Sequence, residues 1–183
     1  MSPTSSIFSP FRRAQIGCVA GLVGGFAIFV SIFIIDLGMG AGQGSFYKVV
    51  GLPAGISGIE ATLFGMVAHM LTAALIGTVF GLGSGISRLL EISSLKKGAV
   101  AGIVTSLVVF LVFFMPITSL LMVPLLESSS ELQEAQMLLA NKDLIMIGSL
   151  ELHIVYGIVM GSFFAIAVQH ETKKLEQLQT RVA

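Results

Sequence analysis

Four continuous apolar runs, residues 14–35, 61–82, 98–122 and 146–168, constrain this chain more than any other feature. Each is long enough to cross a hydrocarbon layer about 30 Å thick at about 1.5 Å of rise per helical residue. Hydrocarbon offers no partner to an unpaired backbone group, so a crossing segment must satisfy its backbone as a helix or within a closed barrel. Barrel strands show about ten residues of alternating polarity. These runs do not alternate, so helices are expected. Composition agrees: 55% of the 183 residues are hydrophobic and 11% are charged, the balance of a membrane protein.

Arg12 and Arg13 precede the first run and Gly40, Ala41 and Gly42 follow it, as in a cleavable signal. The run exceeds the usual signal core of about 7 to 15 residues and has a counterpart later in the chain, so it is expected to stay. Cys18 precedes its apolar stretch, which does not fit a lipoprotein signal, and a single cysteine forms no internal disulfide. Formal net charge is zero and no basic block or zinc pattern is present. Nucleic acid is therefore not an expected partner.

Internal similarity organises the runs. "IGCVAGLV" (16–23) aligns with "KGAVAGIV" (97–104) at an offset of 81, and "HMLTAALIGTVFG" (69–81) with "HIVYGIVMGSFFA" (153–165) at an offset of 84. The expected fold is an all-α polytopic membrane protein, four transmembrane helices built as a tandem, parallel repeat of two-helix units. Residues 1–13 read as a flexible tail and 14–168 as one transmembrane domain with repeats at about 14–87 and 95–168. Residues 169–183 read as a helical extension.

Arg12, Arg13, Arg88, Lys96, Lys97, Lys173, Lys174 and Arg181 fall on one side of this arrangement, leaving Lys48 and Lys142 on the other. By the positive-inside rule both termini are cytoplasmic. The outer side carries Asp36, Glu60, Glu127, Glu131, Glu134 and Asp143, read as a solvated acidic surface. In the first outer connection a short amphipathic piece around Phe46 to Val50 is expected to lie along the interface. The second reads as a helix capped by Ser130 with Gln133, its face formed by Leu132, Ala135 and Leu139.

Steps of four from His69 reach Ala73, Gly77 and Gly81; from His153 they reach Gly157, Gly161 and Ala165. Similar ladders run through Gly17, Gly21 and Gly25, and through Gly98, Gly102 and Ser106. Residues four apart share a helix face, and small residues there let helices approach closely. Both histidines are thus expected to face protein, about 10 Å from the outer helix ends. Met115 and Pro116 are expected at that level, where proline leaves the carbonyl of Val112 free for an imidazole. Thr72 and Tyr156 supply hydroxyls nearby.

The leading expectation is a structural histidine pair. Three others stand beside it: a bis-imidazole haem site, a soft-metal site such as Cu(I) using Met66, Met70 and Met115, and a proton or cation path along His69, His153 and Glu151. Glu151 points about 200° away from His153 around the helix. It is the one acid clearly within a run, and it reads as a marker of contact with another subunit.

Catalysis requires a nucleophile, an acid–base pair or a cofactor site of recognisable spacing, and none is found. "GLGSGIS" (81–87) follows an apolar helix rather than a strand and fails as a phosphate loop. The expected function is an accessory or structural subunit of a larger membrane complex, without enzymatic activity and with no metal or cofactor expected. A homo-oligomeric channel or transporter and a haem or copper protein are the alternatives. Expected partners are the lipid bilayer and other integral membrane subunits or further copies of the chain. On its duplicated histidine-x3-small-x3-glycine helices, the chain resembles small four-helix membrane proteins of archaea and bacteria. That resemblance implies an accessory role, with a membrane-bound monooxygenase such as the archaeal ammonia-oxidising complex as one host.

Overall fold

The computed structural model describes residues 8–38, 44–87, 90–128 and 133–182; the expected Ser130 cap lies outside them. It is helical throughout, with no strand among the described residues. Four helices are long and apolar enough to cross a membrane.

The first long helix, α1 (Pro10–Gly38), starts with proline at a position that needs no donor, and the Ser9 hydroxyl caps the N–H of Arg12 at 3.2 Å. A short α2 (Ser45–Gly51) and a 3₁₀ turn (Leu52–Ala54) lead to the second long helix, α3 (Gly58–Gly83). The third runs from Leu95 to Ser128. Its N-terminus is capped by Ser94, which accepts from the N–H of Lys97 at 3.2 Å. This helix is segmented into α4 (Leu95–Val109), a π-helical turn (Phe110–Phe114), α5 (Met115–Ile117), a second π turn (Thr118–Met122) and α6 (Val123–Ser128). Prolines explain the pattern. The rings of Pro116 and Pro124 press on the carbonyls of Val112 and Leu120, one inside each π turn, and widening the turn relieves the clash. After α7 (Gln133–Ala140), the fourth long helix α8 (Lys142–Val182) continues well past its apolar part.

The long helices lie in the order α3, α1, α8, third helix. Broad contacts join α3 to α1, α1 to α8 and α8 to α4, whereas α3 and α4 share no extended contact. The bundle is therefore an open row. Its core lies at the central α1–α8 seam, where Ala20, Ile32, Met160 and Phe164 are almost wholly buried. In a membrane, lipid is as apolar as these side chains, so close packing rather than water exclusion would hold such a seam together.

The acidic end carries a second cluster in which Val49 and Leu52 pack with Leu126, Ala135, Leu138 and Ile145. In the segment 46–50, Tyr47 and Val49 are buried, and α2 packs against α3. One expectation changes here: Asp36 is not a solvated acid, being fully buried. It accepts from the N–H groups of Gly44 (2.7 Å) and Phe46 (3.1 Å) and so holds the start of α2. Gly44 itself has φ of 81°, and a side chain there would strike Thr62.

Candidate functional site: the histidine and small-residue seam

The small-residue ladders meet within each hairpin. Gly17 lies against the backbone of Gly77 and Gly81, and Gly21 against Ala73 and Gly77, joining α1 to α3. On the other side Gly98 lies against Gly161 and Ala165, and Gly102 against Gly157 and Gly161, joining α4 to α8. Any β-carbon at Gly17, Gly21, Gly77, Gly102 or Gly161 would meet a carbonyl of the facing helix, which has no rotamer through which to retreat. Gly81 packs similarly on the backbone of Arg13.

His69 and His153 stand at the ends of these ladders, and both are half-buried. The ring of His69 lies edge-on to Tyr47 at 5.7 Å, and its Nε2 faces the carbonyl of Gly25 at 3.4 Å. Gly25 thus belongs to the histidine's surroundings as well as to the ladder. His153 donates from Nδ1 to the carbonyl of Ser149 at 2.7 Å, and its ring packs against both Phe110 and Phe114, at 5.2 and 5.1 Å. Each imidazole therefore has one nitrogen directed at a backbone carbonyl. In the neutral ring the other, Nδ1 of His69 or Nε2 of His153, keeps a lone pair. Neither is among the sealed, unpartnered buried atoms.

The other expected members of the site are dispersed. The carbonyl of Val112 receives neither histidine, because each finds a carbonyl on α1 or on its own helix instead. Thr72 is exposed and donates to Ala68 one turn back on its own helix. Met115 is 37% exposed, on the outside of the third helix. Tyr156 is buried but does not serve a histidine: its hydroxyl donates to the carbonyl of Ala73 at 2.8 Å, tying α8 to α3. Its ring occupies the space left by Gly24 of α1. Glu151 is exposed on α8 and makes no hydrogen bond or ion pair among the described residues.

Comparison with protein-family models, with curated proteins and with solved structures finds no match. What the site does must be argued from its own geometry. No group of three or more His, Cys, Asp or Glu side chains gathers among the described residues. The two histidines are thus a pair with two open ring nitrogens, set in aromatic and glycine surroundings.

Sequence reasoning misses Arg13, Asp36 and Tyr47. Arg13 reads in the sequence as a topological charge, yet it is 3% exposed and donates through Nη1 to the carbonyl and hydroxyl of Ser84. Asp36, followed by a glycine-rich connection, carries a usable signal: an acid at a helix end that can hold the N–H groups of a returning loop. Tyr47 carries none.

Proposed function

We propose that this chain is a non-catalytic integral membrane protein that serves as an accessory or structural subunit of a larger membrane complex. Glu151 carries the reading. It lies nine residues into α8, about 13 Å along the axis, amid exposed Ile147, Leu150 and Ile158. An exposed carboxylate costs a few kcal/mol at membrane depth unless a polar partner meets it, and the described residues of this chain provide none. The partner then belongs to a neighbouring subunit.

The open row supports the same reading, since α3 and the third helix present long apolar faces on which a larger protein can seat. In this account the chain is a tandem repeat. Gly17–Gly77 and Gly98–Gly161 are equivalent contacts, as are Gly21–Ala73 and Gly102–Gly157. Both termini are cytoplasmic, at the basic end.

A second reading, a small-solute or proton conduit or a ligand site at the histidines, rests on the two open ring nitrogens. Purification from the native membrane in a gentle detergent separates the two. The subunit reading expects larger membrane proteins in near-constant ratio to this chain. A lone oligomer whose flux is lost on replacing both histidines would establish the conduit instead.

A further inference from the structure

The basic end of the molecule holds a cavity of about 360 Å³ between the start of α1, the segment before α4 and the distal part of α8. Arg13 lines it, and the side chain is 4% exposed. Its guanidinium is unevenly satisfied. Nη1 donates to Ser84, at 3.2 Å to the carbonyl and 3.1 Å to the hydroxyl. Nε is sealed without a partner among the described residues. Nη2 makes no hydrogen bond among the described residues and is not sealed. Its nearest carboxylate, Glu91, is 3.8 Å away, beyond hydrogen-bonding distance, and half exposed.

A buried cation with an open donor needs an anion, because the penalty for desolvating it is offset only by close, hydrogen-bonded charge. Lys173 also lines the cavity and forms no ion pair among the described residues. The lining includes apolar Phe8 and Val168, so an occupant with an apolar body next to its charge fits best. Glu91 and Glu176 line it too, so room for an anion requires the half-exposed Glu91 to turn toward solvent.

We infer that this cavity binds a phosphate-bearing anion, with one phosphate oxygen on Nη2 of Arg13 and Lys173 as the second charge. A phospholipid headgroup and free phosphate share that chemistry. Guanidinium and phosphate form short, charge-assisted hydrogen bonds, and a basic cluster where apolar helices end is where anionic headgroups collect.

The test uses the full chain purified in an uncharged detergent, with the thermal midpoint followed on adding phosphatidylglycerol, phosphatidylcholine or inorganic phosphate at constant ionic strength. Phosphatidylglycerol or inorganic phosphate is expected to raise the midpoint saturably. A rise with phosphatidylglycerol alone assigns a headgroup, and a rise with inorganic phosphate assigns a free anion. Lys173→Gln is expected to weaken binding about fivefold, and Glu91→Gln to tighten it. Both variants leave the Arg13–Ser84 contact in place. No rise with either anion, an equal rise with phosphatidylcholine, or an affinity unmoved by Lys173→Gln would overturn the inference.

Discussion

The hydroxyl of Tyr156 on α8 donates to the backbone carbonyl of Ala73 on α3 across 2.8 Å, linking two helices that also meet through the rings of Phe80 and Phe164. The other tyrosine, Tyr47, is equally buried, yet its hydroxyl has no partner among the described residues. The same substitution should therefore act in opposite directions. Tyr156→Phe should destabilise the protein by about 0.5 to 1.5 kcal/mol, whereas Tyr47→Phe should stabilise it by about 1 kcal/mol by removing an orphaned polar group. Denaturant titration of both variants in one detergent measures the two signs.

Tyr47 lies outside the four long helices and provides a pH prediction. Burial first, and the nearby Asp36 charge second, push its phenol up from the ordinary value of 10.0. In the unfolded chain the proton leaves near that ordinary value, while the folded state retains it. The stability this group contributes is thus complete below about pH 10 and falls as pH rises beyond it. The difference in tyrosinate absorbance between the parent protein and Tyr47→Phe should stay near zero at pH 10 while helicity is native. Half-ionisation there would contradict the buried placement.

The ladders make a graded prediction. Gly77→Ala and Gly102→Ala set a methyl against the backbone of the facing helix, and each should cost about 1 to 3 kcal/mol. Gly83 ends α3 in open space, with nothing within 4 Å of where a methyl would sit, so Gly83→Ala should be neutral or stabilising by up to about 1 kcal/mol. Unfolding midpoints of the three variants test whether packing, rather than glycine content, is what matters.

Glu151→Leu separates assembly from folding. The isolated chain should be at least as stable as the parent, because an exposed carboxylate is replaced by an apolar side chain on an apolar face. Co-purification of partner subunits should drop sharply. Loss of folding together with assembly would place the role of Glu151 inside the chain.

The long helices and the small-residue faces were legible because periodicity and length are local properties. Gly17, Gly21, Gly98 and Gly102 stand where their four-residue spacing points, each against the other helix of its hairpin. The order of the helices was not legible. Every ladder allows close approach, and none says that α1 meets α8 while α3 and α4 stay apart. Partners of the polar groups were harder still. Pro116 removes the α-helical donor to the carbonyl of Val112, but His153 reaches Ser149 four residues back and needs no help from another helix. Burial of Arg13 and Asp36 depends on where Ser84 and the start of α2 return in space, which no local pattern records.

The most direct test of the subunit account is photo-crosslinking in the native membrane, with benzoylphenylalanine placed at Ile147, an exposed position one helical turn from Glu151. A probe at Leu75, exposed on α3, examines the far side of the row. The account predicts a discrete adduct between the Ile147 probe and a larger membrane polypeptide, lost in Glu151→Leu. Adducts only with lipid, or only with a second copy of this chain, would contradict it.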